Sequence, residues 1–165
     1  MYSKDKGYFF NRATAAPGFG GKNPSSNRYN GGEEYILRGT LVWNPSDDVN
    51  VRLKVNNTRK RIIGGGSPLG NCPDGVGSPV NIPFINPADS CKVDRTTYIV
   101  DLDKAAFPDA RNNGTPFMRY LTTFGTLEVN YNVTPHVTLT STTGFYNNEV
   151  DGFINGTNTG SAGPP

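Results

Sequence analysis

The chain has 165 residues, of which 35% are hydrophobic and 18% charged, and a formal charge of +2. Eight tyrosines and nine phenylalanines make it too aromatic for simple disorder, while 20 glycines and 13 prolines leave few aliphatic residues for a large core. So small a charge, without a basic stripe interleaved with aromatics, gives no case for a nucleic-acid partner, and no apolar run is long enough for a membrane-spanning helix.

Met1–Lys6 has no apolar stretch of the kind a secretory signal needs, so the beginning of the protein is expected upstream. Gly7-Tyr8-Phe9-Phe10-Asn11 reads as the end of a strand near residues 7–13. A Gly/Asn/Ser/Pro loop over roughly 15–32 follows.

Two hairpins then carry the strongest pattern. Tyr35, Leu37, Gly39, Leu41 and Trp43 alternate with Glu34, Arg38 and Thr40, which predicts a strand over 33–43. Asn44-Pro45-Ser46-Asp47-Asp48 reads as a five-residue turn, and Val49, Val51, Leu53 and Val55 alternate with Asn50, Arg52, Lys54 and Asn56 in a strand over 49–60. The second hairpin places Leu121, Gly125, Leu127, Val129 and Tyr131 on one face and Thr122, Thr126, Glu128 and Asn130 on the other, in a strand over 117–131. After the turn Asn132–His136, the strand 137–149 sets Val137, Leu139, Ser141, Thr143 and Phe145 against Thr138, Thr140 and Thr142. Between the hairpins, residues 61–116 read as one long loop punctuated by Gly64-Gly65-Gly66 and several prolines, with a short extra strand over 96–102.

Long connections therefore fall at one end of the strands and short turns at the other, the asymmetry of outer-membrane barrels. From Tyr35 to Trp43, or from Val137 to Phe145, eight steps at about 3.3 Å give roughly 26 Å of strand. A tilt of about 40° reduces this to ~20 Å along the membrane normal, near the apolar band of about 25 Å of such barrels. Tyr35, Trp43, Tyr131 and Phe145 end their stripes, as aromatics at the membrane interface do. The expected fold is all-β: an antiparallel up-and-down meander of about five strands, a fragment of a transmembrane β-barrel with long external loops. The alternative is a secreted soluble β-sandwich module that covers the same stripes with a second sheet and binds carbohydrate through its loops.

At the level of motifs, Tyr35-Ile36-Leu37-Arg38-Gly39-Thr40-Leu41-Val42-Trp43-Asn44-Pro45-Ser46-Asp47 resembles a barrel hairpin of TonB-dependent outer-membrane receptors. Leu139-Thr140-Ser141-Thr142-Thr143-Gly144-Phe145-Tyr146 resembles their L-T-S-x-T-G-Y/F strand, and Gly7–Asn11 resembles the D-G-Y-x-x-N segment that often precedes the first hairpin. The three occur in the family's order. The resemblance implies a bacterial outer-membrane protein that binds a scarce substrate (siderophore, cobalamin or glycan class) and imports it with energy from the TonB complex. It also implies a plug domain, an energy-coupling box and 22 strands. Because these 165 residues lack the first two and supply about five strands, they are expected to be an interior piece of a receptor barrel.

Within that reading Glu34, Arg38, Arg52, Lys54 and Glu128 face the lumen, and simple pairing sets Arg38 opposite Lys54, a like-charge contact that asks for an anionic partner. Outer-membrane lipid, the TonB complex and a small-molecule or oligosaccharide substrate are the expected partners. Phe84, Tyr98 and Phe107, in the long loop, are the candidate ligand contacts. Cys72 and Cys91 either form a disulfide closing that loop or remain two free thiols. No catalytic residue, metal or cofactor is expected. His136 sits in a turn with no nucleophile near it. Gly64–Gly70 lacks the Gly-Lys-Ser/Thr ending of a phosphate loop, and Asp101, Asp103 and Asp109 do not match calcium-loop spacing.

Overall fold

The computed structural model describes residues 1–16, 18–65 and 89–155. Ten strands and one short 3-10 turn account for its regular structure: β1 (Tyr2–Asp5), β2 (Phe9–Asn11), β3 (Gly21–Lys22), β4 (Arg28–Tyr29), β5 (Gly31–Ser46), β6 (Val49–Ile63), β7 (Thr96–Thr97), β8 (Asp101–Leu102), the turn at Asn112–Gly114, β9 (Phe117–Thr134) and β10 (Val137–Phe153). The fold is all-β, and β5, β6, β9 and β10 are 15 to 18 residues long. Strands in globular domains average five or six residues. No helix among the described residues is long and apolar enough to cross a membrane, which says nothing of crossing by strands.

One five-stranded sheet has the order β1-β5-β6-β9-β10, a meander apart from β1. Met1 and Ile36 exchange both backbone hydrogen bonds, at 2.8 and 2.9 Å, which identifies an antiparallel pair. Between β9 and β10 the side chains step in opposite directions: Thr138 bonds Asn132, Thr140 bonds Asn130, and Thr122 bonds Asn148. Between β6 and β9, Arg52 meets Glu128 and Asn57 meets Thr123 in a single register.

The turns are shorter than the sequence suggests. β5 runs on to Ser46 and β9 to Thr134, leaving two-residue turns at Asp47-Asp48 and Pro135-His136. Asn50 donates to Asn44 and Thr138 to Asn132, which keeps both expected five-residue turns in the ladder. Each side-chain pair is one residue out of step with a two-residue turn, so one residue beside each turn is bulged. A bulge also accommodates Pro45 inside β5.

The N-terminal expectation is corrected. Tyr2–Asp5, not residues 7–13, is the strand that joins the large sheet. Gly7 bends the chain with φ +98, at a point where a Cβ would press on the Tyr29 carbonyl. Phe9–Asn11 then enters a three-stranded sheet, antiparallel to β4 and parallel to β7. The described ends of the long loop hold more strand than expected, because β6 continues to Ile63 and the 96–102 strand divides into β7 and β8, the latter paired with β3.

The chain divides into two compact units. One comprises Met1–Ser3, Glu34–Lys60 and Tyr120–Val150, and holds the long hairpins. The other comprises Lys4–Glu33, Arg61–Arg119 and Asp151–Pro165. The small core belongs to this second unit: Tyr29, Thr97, Ile99, Val100, Asp101, Pro116 and Phe117. Asp101 organises it, accepting hydrogen bonds from the Tyr29 hydroxyl (2.9 Å), the Thr115 hydroxyl (2.7 Å) and the Ser25 amide (3.0 Å). Burial, and next the Asp101 carboxylate, push the Tyr29 hydroxyl far above the ordinary tyrosine range.

Candidate functional site

In the hairpin unit, alternation along each strand generates two unlike faces. The odd-numbered positions carry the apolar stripes, and these are open: Leu37 is 74% exposed, Leu41 and Leu139 are 62% exposed, and Trp43 is 60% exposed. Tyr35, Tyr131 and Phe145, at the stripe ends, are also exposed, and the Tyr2 and Tyr35 rings sit 4.7 Å apart. Phe145 lies across the pair from Gly125, where a Cβ would collide with its ring. A soluble surface rarely presents so many adjacent large apolar groups.

The even-numbered face is mostly polar and extensively hydrogen-bonded, although Val42, Phe124, Tyr146 and Val150 are also exposed at even positions. Arg52 and Glu128 form an ion pair at 3.9 Å, and the Thr/Asn ladder of β9 and β10 occupies the same side. Arg38 donates to Asn56 at 3.0 Å, so the expected contact with Lys54 is replaced by a neutral acceptor. The shorter turn explains this: folding about Asp47-Asp48 rather than Ser46 carries the pairing along β6, and the bulge sets it back by one residue, to Asn56. Glu34 lies in β5 and Lys54 in β6, at the positions expected for this face.

The second unit holds the loop candidates. Tyr98 is half-buried, and burial, followed by the Asp89 carboxylate, raises its hydroxyl above the usual value. Phe107 is packed so closely on Gly20 that a Cβ there would meet its ring, and it lines a cleft of about 390 Å³ with Leu102, Pro108, Arg111 and Phe153. Phe84 and Cys72 lie outside the described residues. Cys91 is buried, disulfide-bonded, and held in a left-handed conformation (φ 51) with its amide on Asp89. Asp101 is a structural acceptor, and among the described residues no group of three or more His, Cys, Asp and Glu side chains is placed to hold a metal.

Two constellations were not anticipated. Arg28 lies 3.9 Å over the Phe10 ring, and Arg95 lies 4.4 Å over Tyr8. Near them a cleft of about 490 Å³ opens among Lys4, Lys6, Arg28, Gly32, Glu33 and Arg61. Glu33 pairs with Lys4 at 3.1 Å and Asp5 also lines the cleft, so four cationic side chains face two carboxylates and the cleft is cationic on balance. The second constellation gathers Arg61, Arg111 and Arg119 around Phe117 and Asp151. Arg111 grips Asp151 with both arms of its guanidinium, and Arg119 reaches the same carboxylate at 2.7 Å. Arginines so far apart in sequence give no local signal; the register of β6, β9 and β10 brings Arg61, Arg119 and Asp151 together, and the loop before Asn112–Gly114 adds Arg111. No protein-family model, curated protein or solved structure matches the chain.

Proposed function

We propose that the chain forms part of the wall of a bacterial outer-membrane barrel, in a TonB-dependent receptor that binds and imports a scarce substrate of the siderophore, cobalamin or glycan class. The observation that carries this reading is the open apolar face. Leu37, Leu41, Trp43 and Leu139 alternate with polar residues along strands of 16 and 17 residues, yet are left uncovered. Lipid covers such a face at no desolvation cost, whereas water leaves each of these side chains without its ~1.5–3 kcal/mol of burial. A sandwich module would need a second sheet over the same stripes, and the exposure of Leu37 and Leu41 speaks against one.

The even-numbered face then borders the aqueous lumen, with Arg38, Arg52, Lys54, Glu34 and Glu128 as its charges. The second unit, with its clefts and arginine–aromatic stacks, supplies the substrate-side surface. TonB coupling would engage other parts of such a receptor. Its test is to sequence the source DNA on both sides of this segment. An uninterrupted frame encoding a plug upstream, and further alternating strands downstream ending in an aromatic, is the expected result. A start at Met1 with a stop after Pro165 would sink the receptor assignment.

A further inference from the structure

We propose that Arg61, Arg111 and Arg119, grouped around Phe117, form a site for the phosphate of anionic lipid headgroups; this rests on the reading that the odd-numbered face meets lipid. Charge is the first argument. The cluster holds three guanidiniums and one carboxylate, Asp151, which two of them already share. The third, Arg61, donates to the neutral Asn112 side chain at 2.5 Å. The group therefore keeps an excess of two positive charges.

Its geometry is built rather than loose. The Arg61 and Arg111 guanidinium carbons lie 5.7 and 5.5 Å from the centre of the Phe117 ring, which is buried and braced edge-on by Phe153. Asp151 fixes Arg111 end-on, accepting from Nη1 and Nη2. Planar forks held in this way suit the oxygens of a phosphate, which guanidinium binds in bidentate fashion. Arg111 and Arg119 remain about half exposed, with side-chain accessibilities of 54% and 45%.

Position names the ligand. By strand alternation Arg61 shares its face of β6 with Val51, Leu53 and Val55. Arg119 likewise shares its face of β9 with Leu121, Leu127 and Tyr131, and Asp151 its face of β10 with Leu139 and Phe145. On each strand the charged residue lies past one end of the apolar stretch, after it on β6 and β10 and before it on β9, where a lipid-facing strand leaves hydrocarbon and reaches the headgroups. A free anion arriving from water has no reason to need that face.

The experiment is flotation of the chain with vesicles of phosphatidylcholine alone, or with one fifth phosphatidylglycerol, comparing wild type with the pair Arg61→Gln and Arg119→Gln. Phosphatidylglycerol should strengthen wild-type binding about 25-fold more than that of the variant, roughly 5-fold for each neutralised charge. The pair Arg61→Lys and Arg119→Lys should keep most of that gain, which separates lost charge from lost fold. The pair Arg52→Gln and Lys54→Gln removes the same charge from the even-numbered face and should behave as wild type. Equal gains in wild type and the Arg61/Arg119 variant, with phosphatidylcholine binding intact, would overturn the site and spare the lipid-facing reading. Wild type that floats with neither vesicle would overturn both. Loss of the gain in inorganic phosphate, but not in chloride of equal ionic strength, would reassign the site to free phosphate.

Discussion

Gly39 lies midway along the first apolar stripe, four residues from Tyr35 and four from Trp43, and a Cβ built on it meets nothing within 4 Å. Any side chain placed there is therefore judged by the medium outside the strand. Four steps at about 3.3 Å, with a tilt of about 40°, put each flanking aromatic ~10 Å from Gly39 along the membrane normal. If that medium is hydrocarbon, Gly39→Arg sets a guanidinium near the midplane at a cost of about 2–4 kcal/mol. If it is water, replacing a strand glycine is neutral or gains up to about 1 kcal/mol. The two readings thus differ in sign. The assay is a urea titration of the chain folded into phosphatidylcholine vesicles, followed by the fluorescence of Trp43, its sole tryptophan. Thr40→Arg, on the polar face, is the control and should be tolerated. Equal midpoints for Gly39→Arg, Thr40→Arg and wild type would refute the reasoning. So would a wild-type chain that stays monomeric in water and melts cooperatively.

Asp101→Ala removes the common acceptor of Tyr29, Thr115 and Ser25 and should destabilise the second unit by about 3–5 kcal/mol in chemical denaturation, with Asp101→Asn milder. Gly32→Ala drives a Cβ into the Arg61 carbonyl oxygen, which no rotamer can relieve. It should cost about 1–3 kcal/mol, whereas Gly39→Ala should cost nothing. Tyr29 predicts a pH dependence. Its folded value is raised, so above pH ~10 the unfolded chain sheds a proton that the folded chain keeps. That stability is complete below pH ~10 and declines as pH rises, by at most about 1.4 kcal/mol per unit. Denaturation of Tyr29→Phe across pH 9–11 should lack this part of the slope.

The long hairpins were legible because their information is periodic. Val49, Val51, Leu53 and Val55 against Asn50, Arg52 and Lys54 state a strand and its two faces without reference to any other segment. The turns were misjudged because Asn44 and Asn132 are turn formers by composition, but here they pair across the ladder with Asn50 and Thr138. Gly7–Asn11 looked like barrel strand because its aromatics fit one. The left-handed bend at Gly7 instead diverts Phe9–Asn11 to β4 and β7, and that parallel pairing with β7 spans more than 80 residues of sequence. The Asp101 hub and the arginine cluster around Asp151 were illegible for the same reason. Each is assembled from residues tens of positions apart, and no spacing rule reads such distances.

The amide of Gly64 donates to the carbonyl of Pro116 at 2.7 Å, just beyond the last residue of β6 and just before the first of β9. The long insertion therefore springs from a closed neck. Once a neck is fixed, lengthening the segment above it costs only about 0.6 kcal/mol per doubling. Changes of length are therefore cheap in chain entropy at exposed positions above the neck, whereas Thr97, Val100, Asp101 and Thr115 are buried in the second unit and must be kept. The neck, rather than the number of residues above it, sets the register of the strands that meet there.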